Sequence, residues 1–450
     1  MTLTKLIKRN PLRGMTEKDI CRRHFLLIEN PYGVSIGILL RRSFLLILFT
    51  FYLSPFPLHA QGFTLDIHGF ANPHYYADSR SVVGGREDMM LFYPKPILRD
   101  ILGNDINDGW QADMLAITAR LGLTIKGPDI WGAKTKAYIE GDFTGSTNAA
   151  INDLRLRHAY IDMLWENRTK VTKGSREYDV LISSHRLLAG QYWYPMVIHE
   201  IMPMTNPLNM GSPFHCYARQ PQVRYEYYFL GIEAVAVASW QLDNMSQGLL
   251  NGALASSTQF ARHSLVPELN VQLRWKSDKT FFGIAANLKA IQPMVQSVAT
   301  ALQPSTDLYS SFTWSLFGKA NLGPITIKAQ TLLNNSLYEG CSLGGYLMLA
   351  DSTFEDWHFN TVWLDVERNS GHWRPGIFLG FAQNLDYGNT NYVHCFGRGH
   401  DLEYLWRIQP RLTYTAGNGL SFTGEAEYTR AGYDEPVGNL RLSLSMVYAF

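Results

Sequence analysis

Past residue 60 this 450-residue chain has no apolar run approaching the roughly 18 residues that a membrane-spanning helix needs, so helical spans are excluded there. Cysteine is scarce. Cys21 falls near the start, and Cys216, Cys341 and Cys395 stand far apart with no Cys-x-x-Cys spacing, which speaks against a structural zinc site. A surplus of one charge is also missing. The formal total is +1, but residues 1–60 hold nine Lys and Arg against three acids, and the remaining 31 bases and 36 acids leave about −5. That balance excludes the basic footprint of a nucleic-acid binder. Local catalytic signatures are absent or broken. The one Gly-x-Ser-x-Gly match, Gly340 to Gly344, falls inside the long connection 336–358 and not at the strand-to-helix turn that a nucleophile elbow needs. His199 and Glu200 begin a zinc-protease pattern, but Pro203 stands where the second histidine belongs. Gly127, Gly132 and Lys134 lack the Gly-Lys-Ser/Thr of a phosphate loop, and Asn104, Asp105, Asn107 and Asp108 miss the EF-hand spacing. No catalytic residue, cofactor or metal is expected.

What the chain does have begins with a leader. Arg41 and Arg42 precede a short apolar run, 43–53, followed by Ser54, Pro55, Pro57 and then Leu58, His59 and Ala60, which is the order of a cleaved signal peptide. Cleavage is expected before Gln61. Residues 1–40 are expected to lie outside the mature structure, with translation starting downstream of Met1.

From Gln61 onward the recurrent signal is alternation with period two over about ten residues, the length a tilted strand needs to cross the hydrocarbon layer. In 117–127, Ile117, Ala119, Leu121, Leu123 and Ile125 fall on one face and Thr118, Arg120, Thr124 and Lys126 on the other. A face carrying such charges must see water, so the opposite, apolar face must look outward. Segments 64–77, 132–143, 154–165, 178–193, 222–229, 232–241, 268–275, 282–290, 308–322, 325–335, 360–368, 373–383, 402–416, 420–431 and 440–450 read the same way and bring the count to sixteen strands. The expected fold is an all-β, antiparallel transmembrane barrel over 61–450.

Long connections near 79–116, 143–152, 194–220, 242–265, 291–307, 336–358 and 384–401 alternate with short turns, as in barrels whose outer loops are long and periplasmic turns short. The exceptions are a long inner turn, 166–177, and a short outer one, 432–438. In the last strand Leu440, Leu442, Leu444, Met446, Tyr448 and Phe450 alternate with Arg441, Ser443 and Ser445, and an apolar strand ending on an aromatic is the pattern expected to engage the outer-membrane assembly machinery. If one disulfide forms, Cys341 with Cys395 is the candidate, since both fall in neighbouring loops. The alternative is three free thiols.

The stretches GPDIWGAKTKAYIEGDF (127–143), LRLRHAY (154–160) and LAGQYWYP (188–195) resemble the DcaP-like porins, including members from Bacteroidetes, and the likeness runs from about Gly62 to Phe450. The resemblance implies a sixteen-stranded homotrimeric porin of the cell outer membrane, some of whose relatives pass small anionic solutes such as dicarboxylates.

The expected function is passive diffusion of small hydrophilic solutes through the lumen. Arg120, Lys126, Lys134, Lys136, Glu140, Asp142, Arg155, Arg157, Arg224, Glu226, Arg274, Arg407 and Arg411 fall on inferred inner faces. Of these, Arg120, Lys134, Lys136, Arg155 and Arg157 are expected to form one positive wall, which would act as a selectivity filter. Strict parity would point His158 and Asp162 at lipid, and a bulge near His158 would repair this. The loop 194–220, with His199, Glu200, His215 and Arg219, is expected to fold inward as a constriction, because Met196, Val197, Ile198, Ile201 and Met202 need cover. Expected partners are outer-membrane lipid and lipopolysaccharide. The other readings are a surface-binding or scaffold barrel with a plugged lumen and, more remotely, an outer-membrane hydrolase.

Overall fold

The computed structural model describes residues 62–450 except 174, 207–208 and 297–305, so the leader expected at 1–60 lies outside the described residues. Two barrel strands are interrupted: β1 comprises Thr64–Ala71 and His74–Arg80, and β2 comprises Asp108–Leu115 and Arg120–Lys126. The others are β3 (Lys134–Asp142), β4 (Arg155–Lys173), β5 (Arg176–Trp193), β6 (Arg219–Phe229), β7 (Ile232–Ser239), β8 (Glu268–Lys276), β9 (Thr280–Ile291) and β10 (Tyr309–Leu322). Then come β11 (Ile325–Asn335), β12 (Phe359–Arg368), β13 (Trp373–Asn384), β14 (Tyr404–Gly417), β15 (Leu420–Gly432) and β16 (Val437–Ala449). Each pairs antiparallel with its neighbours in sequence, and β16 returns to β1 through Phe70 opposite Ala449 and His74 opposite Ser445. Reciprocal bonds of 3.0 Å between Gly69 and Phe450 complete the seam. The result is a closed sixteen-stranded antiparallel barrel.

The polarity of the wall is inverted relative to a water-soluble sheet. In β8, Glu268, Asn270, Gln272 and Arg274 are buried while Leu269, Val271 and Leu273 stand 42–59 % exposed. In β16, Arg441 and Ser443 point in, and Leu442 and Leu444 point out. Covering one such Leu or Val fully is worth about 1.5–3 kcal/mol. Repeated around the barrel, this outer surface requires a hydrocarbon surround.

Sequence and structure part company at four places. The strand expected to start at residue 117 starts at Asp108, because Asp108–Leu115 finds β1 as a partner; Ala116–Ala119 is a turn, and Ile117 packs inside instead of facing lipid. The matching break in β1 falls at Asn72–Pro73, where proline has no N–H for the ladder. The long inner turn expected at 166–177 is instead a continued hairpin, with Lys173 opposite Arg176. Finally, Cys216, Cys341 and Cys395 are all free, so the Cys341–Cys395 bridge does not form. Cys341 is buried in the loop core within the barrel, whereas Cys395 sits on a short strand pairing with Gly344–Met348.

Long loops enter the barrel from one end. L1 (81–107) and L3 (194–218) contribute Met89, Met90, Phe92, Met196, Val197, Ile198, Ile201 and Phe214 to an internal apolar cluster. L3 spans the lumen. Its Pro195 carbonyl accepts from Gln272 at 2.8 Å, its Met202 carbonyl from Lys328 at 3.0 Å and its Ser212 carbonyl from Arg407 at 2.8 Å, while the Asn206 amide donates to Glu425 at 3.1 Å. It therefore lies against the inner faces of β8 to β15. On the opposite wall, β1 to β5, inner residues such as His68, Tyr138 and Tyr160 keep partial exposure.

Candidate functional site

Where L3 returns to β6 it meets the inner faces of β2, β3 and β4. The register between β3 and β4 shifts between Glu140 and Gly141: His158 faces Glu140, Leu156 faces Gly141, and Arg157 is the extra residue. This is the bulge that the pattern of β4 requires. It lets Arg155, Arg157, His158 and Asp162 all point inward, since the added residue resets the alternation.

Arg155 grips Asp142 through two bonds, Nε to Oδ1 at 3.1 Å and Nη2 to Oδ2 at 2.9 Å. Arg157, fully buried, donates Nε to Glu140 at 2.6 Å and Nη1 to Asp142 at 3.0 Å. Arg219 donates Nη2 to Asp243 of the following loop at 2.6 Å, and Arg120 lies 3.5 Å from Glu140. Arg86 of L1 and Arg398, which stacks 4.1 Å over Phe92, complete the ring around a cavity of about 300 Å³. Arg86, Arg120, Arg155, Arg219 and Arg398 line the cavity with Asp142, while Arg157, Glu140 and Asp243 bond to these groups from behind; together six guanidinium groups accompany three carboxylates, an excess of three positive charges. Several donors remain without a hydrogen-bond partner: Nε of Arg86, Nη2 of Arg157, and Nε and Nη1 of Arg219. A buried donor left unpaired costs about 1–3 kcal/mol, and more when charged. An anion in the cavity would meet the unpaired donors of Arg86 and Arg219, which line it.

The field leaves its mark on the loop residues. Burial pushes the Tyr217 phenol up, but Arg157, Arg219, Arg120 and Arg155 outweigh it and bring it down to about 7. Burial alone would raise the Asp243 carboxyl, yet Arg219, Arg155, Arg157 and Arg86 hold it below its ordinary value.

Of the residues named from sequence, Arg120, Glu140, Asp142, Arg155, Arg157 and Arg219 meet here. The five cations expected to share one wall do not. Lys134 pairs with Glu166 at 2.6 Å and Lys136 with Asp162 at 3.1 Å, beside a separate cavity at the short-turn end that Lys126 also lines. Strand length separates them from the arginines. Further round, Arg224 is bound to Glu226 at 2.5 Å, Arg274 lies 3.2 Å from both Glu200 and Glu233, and Arg411 holds Asp365 at 2.7 Å. Arg407 pairs with Glu427 at 3.0 Å. His199 contacts Glu200 at 3.1 Å, and buried His215 contacts Gln330 at 2.6 Å, away from the arginine cavity. Arg86, Arg398, Tyr217 and Asp243 were not picked out from sequence. Arg86, Tyr217 and Asp243 sit on irregular loop segments and Arg398 ends the short strand His394–Arg398 inside a long connection, so no barrel-strand periodicity assigns any of them a face.

No protein-family model matches the chain, and neither does any curated protein. Solved structures do. The chain is similar to the outer membrane channel DcaP of Acinetobacter baumannii, with 16 % identity, 87 % of this chain and 98 % of that one covered, and a TM-score of 0.63. It is also similar to the trimer form of OmpT, an outer membrane protein of Vibrio cholerae, with 8 % identity, coverage of 87 % and 100 %, and a TM-score of 0.51. At these identities the likeness is one of fold. The chain is a β-barrel of the outer-membrane porin fold.

Proposed function

We propose that the protein is a passive porin of the DcaP-like type that admits small anionic solutes, dicarboxylates among them. The observation that carries this reading is the arginine cavity, in which buried guanidinium donors outnumber the acceptors around them. Low-dielectric walls focus such a field, whereas charges on outer loops are screened by salt within about 8 Å. Arginine's planar fork suits carboxylate oxygens, and an excess of three charges suits a solute with two. The passage runs between L3 and the β1–β5 wall, with Arg120, Arg155, Arg157 and Arg219 at its narrow part and Lys126, Lys134 and Lys136 toward the short-turn end. A homotrimer is the assembly the resemblance favours, and the trimer form among the similar folds supports it.

Reversal potentials in a salt gradient across planar bilayers test the proposal. Anion preference is expected, reduced in an Arg219→Ala, Arg120→Ala double variant. Cation preference in the unaltered protein would overturn it. A plugged, surface-binding barrel is the second reading, favoured by the loops that cover the inner charges of β8 to β15. Absence of single-channel conductance would select it.

A further inference from the structure

The wall that L3 leaves uncovered is aromatic, which is unusual for a surface facing water. Across the lumen, the inner faces of β8 and β10 carry Gln272, Asn270, Thr313 and Ser315, and the rings there, Tyr309 and Phe317, are buried. On the β1–β5 side, rings follow one another. His68 stacks on Tyr138 with centroids 5.6 Å apart, Tyr138 lies 6.1 Å from His158, His158 5.0 Å from Trp193, and Trp193 5.8 Å from Tyr217. Tyr160 flanks the row 5.5 Å from Tyr138. Buried His158 forms the floor, and His68, Tyr138, Tyr160 and Trp193 are only half-buried. These rings alternate with lipid-facing Ile139 and Ile161, so the strand pleat itself puts them in the lumen.

The row ends at the arginines. Arg157 lies 5.6 Å and Arg219 5.3 Å from the Trp193 centroid, and Arg219 lies 5.2 Å from that of Tyr217. At the other end Lys136 sits 5.9 Å from the Tyr160 ring. Cations at both ends of a strip of flat, half-covered rings make a surface that holds a charged group and a planar group at once.

Resting on the reading of the barrel as an anion-passing porin, we propose that the half-buried rings of His68, Tyr138, Tyr160 and Trp193, backed by buried His158 and Tyr217, form a sliding surface for anions that carry a planar ring, aromatic carboxylates in particular. The carboxylate is held by the arginine donors, and the ring moves from one side chain to the next. Each step exchanges one stack for a similar one. Offset or edge-on ring pairs add stabilisation that corresponds to roughly two- to tenfold in binding.

The test uses the full-length protein in planar bilayers carrying a chloride current, with benzoate, cyclohexanecarboxylate and acetate added as sodium salts. Benzoate and cyclohexanecarboxylate share charge and approximate size, but only benzoate has a π face. Benzoate is expected to interrupt the current at concentrations roughly two- to tenfold lower than cyclohexanecarboxylate. Tyr160→Leu and, separately, Trp193→Leu are expected to bring that ratio toward one. Equal interruption by the two acids in the unaltered protein would overturn the ring proposal, and this comparison needs no variant to fold. A chloride preference measured alongside would leave the anion reading standing, and its absence would remove that reading too.

Discussion

Arg407 ties the two internal loops to the barrel, and replacing it should open the lumen. Its side chain is buried on β14, with Nη1 donating to Ser212 of L3 at 2.8 Å and Nη2 to the Leu91 and Phe92 carbonyls of L1 at 3.0 and 3.1 Å. Nε donates to Thr429 at 2.9 Å and lies 3.0 Å from Glu427. Arg407→Ala removes these ties and strands a buried carboxylate, a change that costs about 3–5 kcal/mol. The ladders of β14 to β13 and β15 do not depend on the side chain, so the loss falls on the loop arrangement. A shift of that size alters the balance between packed and released loops by roughly two to four powers of ten. Single-channel conductance in planar bilayers should therefore rise, with more gating noise. The pair Arg407→Met, Glu427→Gln separates the two contributions. It leaves no stranded charge, so the temperature at which the barrel loses its heat-modifiable mobility should recover, while the loops stay untied and the conductance stays high. Conductance and noise equal to the unaltered protein in both variants, with the barrel assembled, would refute the reasoning.

Anion preference should decline as pH rises through about 7, because the Tyr217 phenol, faced by Arg157, Arg219, Arg120 and Arg155, becomes an anion above that value and cancels one positive charge. Reversal potentials of Tyr217→Phe should be flat over the same range, and a matching slope would assign the effect elsewhere. Replacing Tyr448 and Phe450 with Asp should sharply reduce the amount of assembled barrel, since Phe450 bonds Gly69 at the seam and both side chains face the membrane; an unchanged amount in membrane fractions would count against this. Mass spectrometry of the protein extracted from membranes should find Gln61 at the amino terminus, and retention of residues 1–60 would end the leader proposal.

Strand number, wall polarity and chain order were legible in the sequence because a barrel strand meets two solvents at once. Leu269, Val271 and Leu273 against Asn270, Gln272 and Arg274 record hydrocarbon on one side and water on the other, residue by residue. Even the bulge at Arg157 could be inferred, as the defect that reconciles LRLRHAY with that alternation. The polar members of the wall were legible too, but not their company. Arg155 and Lys136 carry the same charge on adjacent inner faces, and only the three-dimensional register shows one beside a buried cavity and the other paired near the short turns. The long connections carry no barrel-strand period, so Arg86 and Arg398 were invisible until folding placed them on that cavity, and Asp243 until it met Arg219 there. The start of β2 was missed for a related reason: Asp108–Leu115 has a partner in β1, but Ala116–Ala119 breaks its phase with the rest of the strand. Local alternation determines which way a side chain points along a strand. Which charges end up adjacent is a long-range outcome of closure, register and loop packing, and that was decided by the tertiary structure alone.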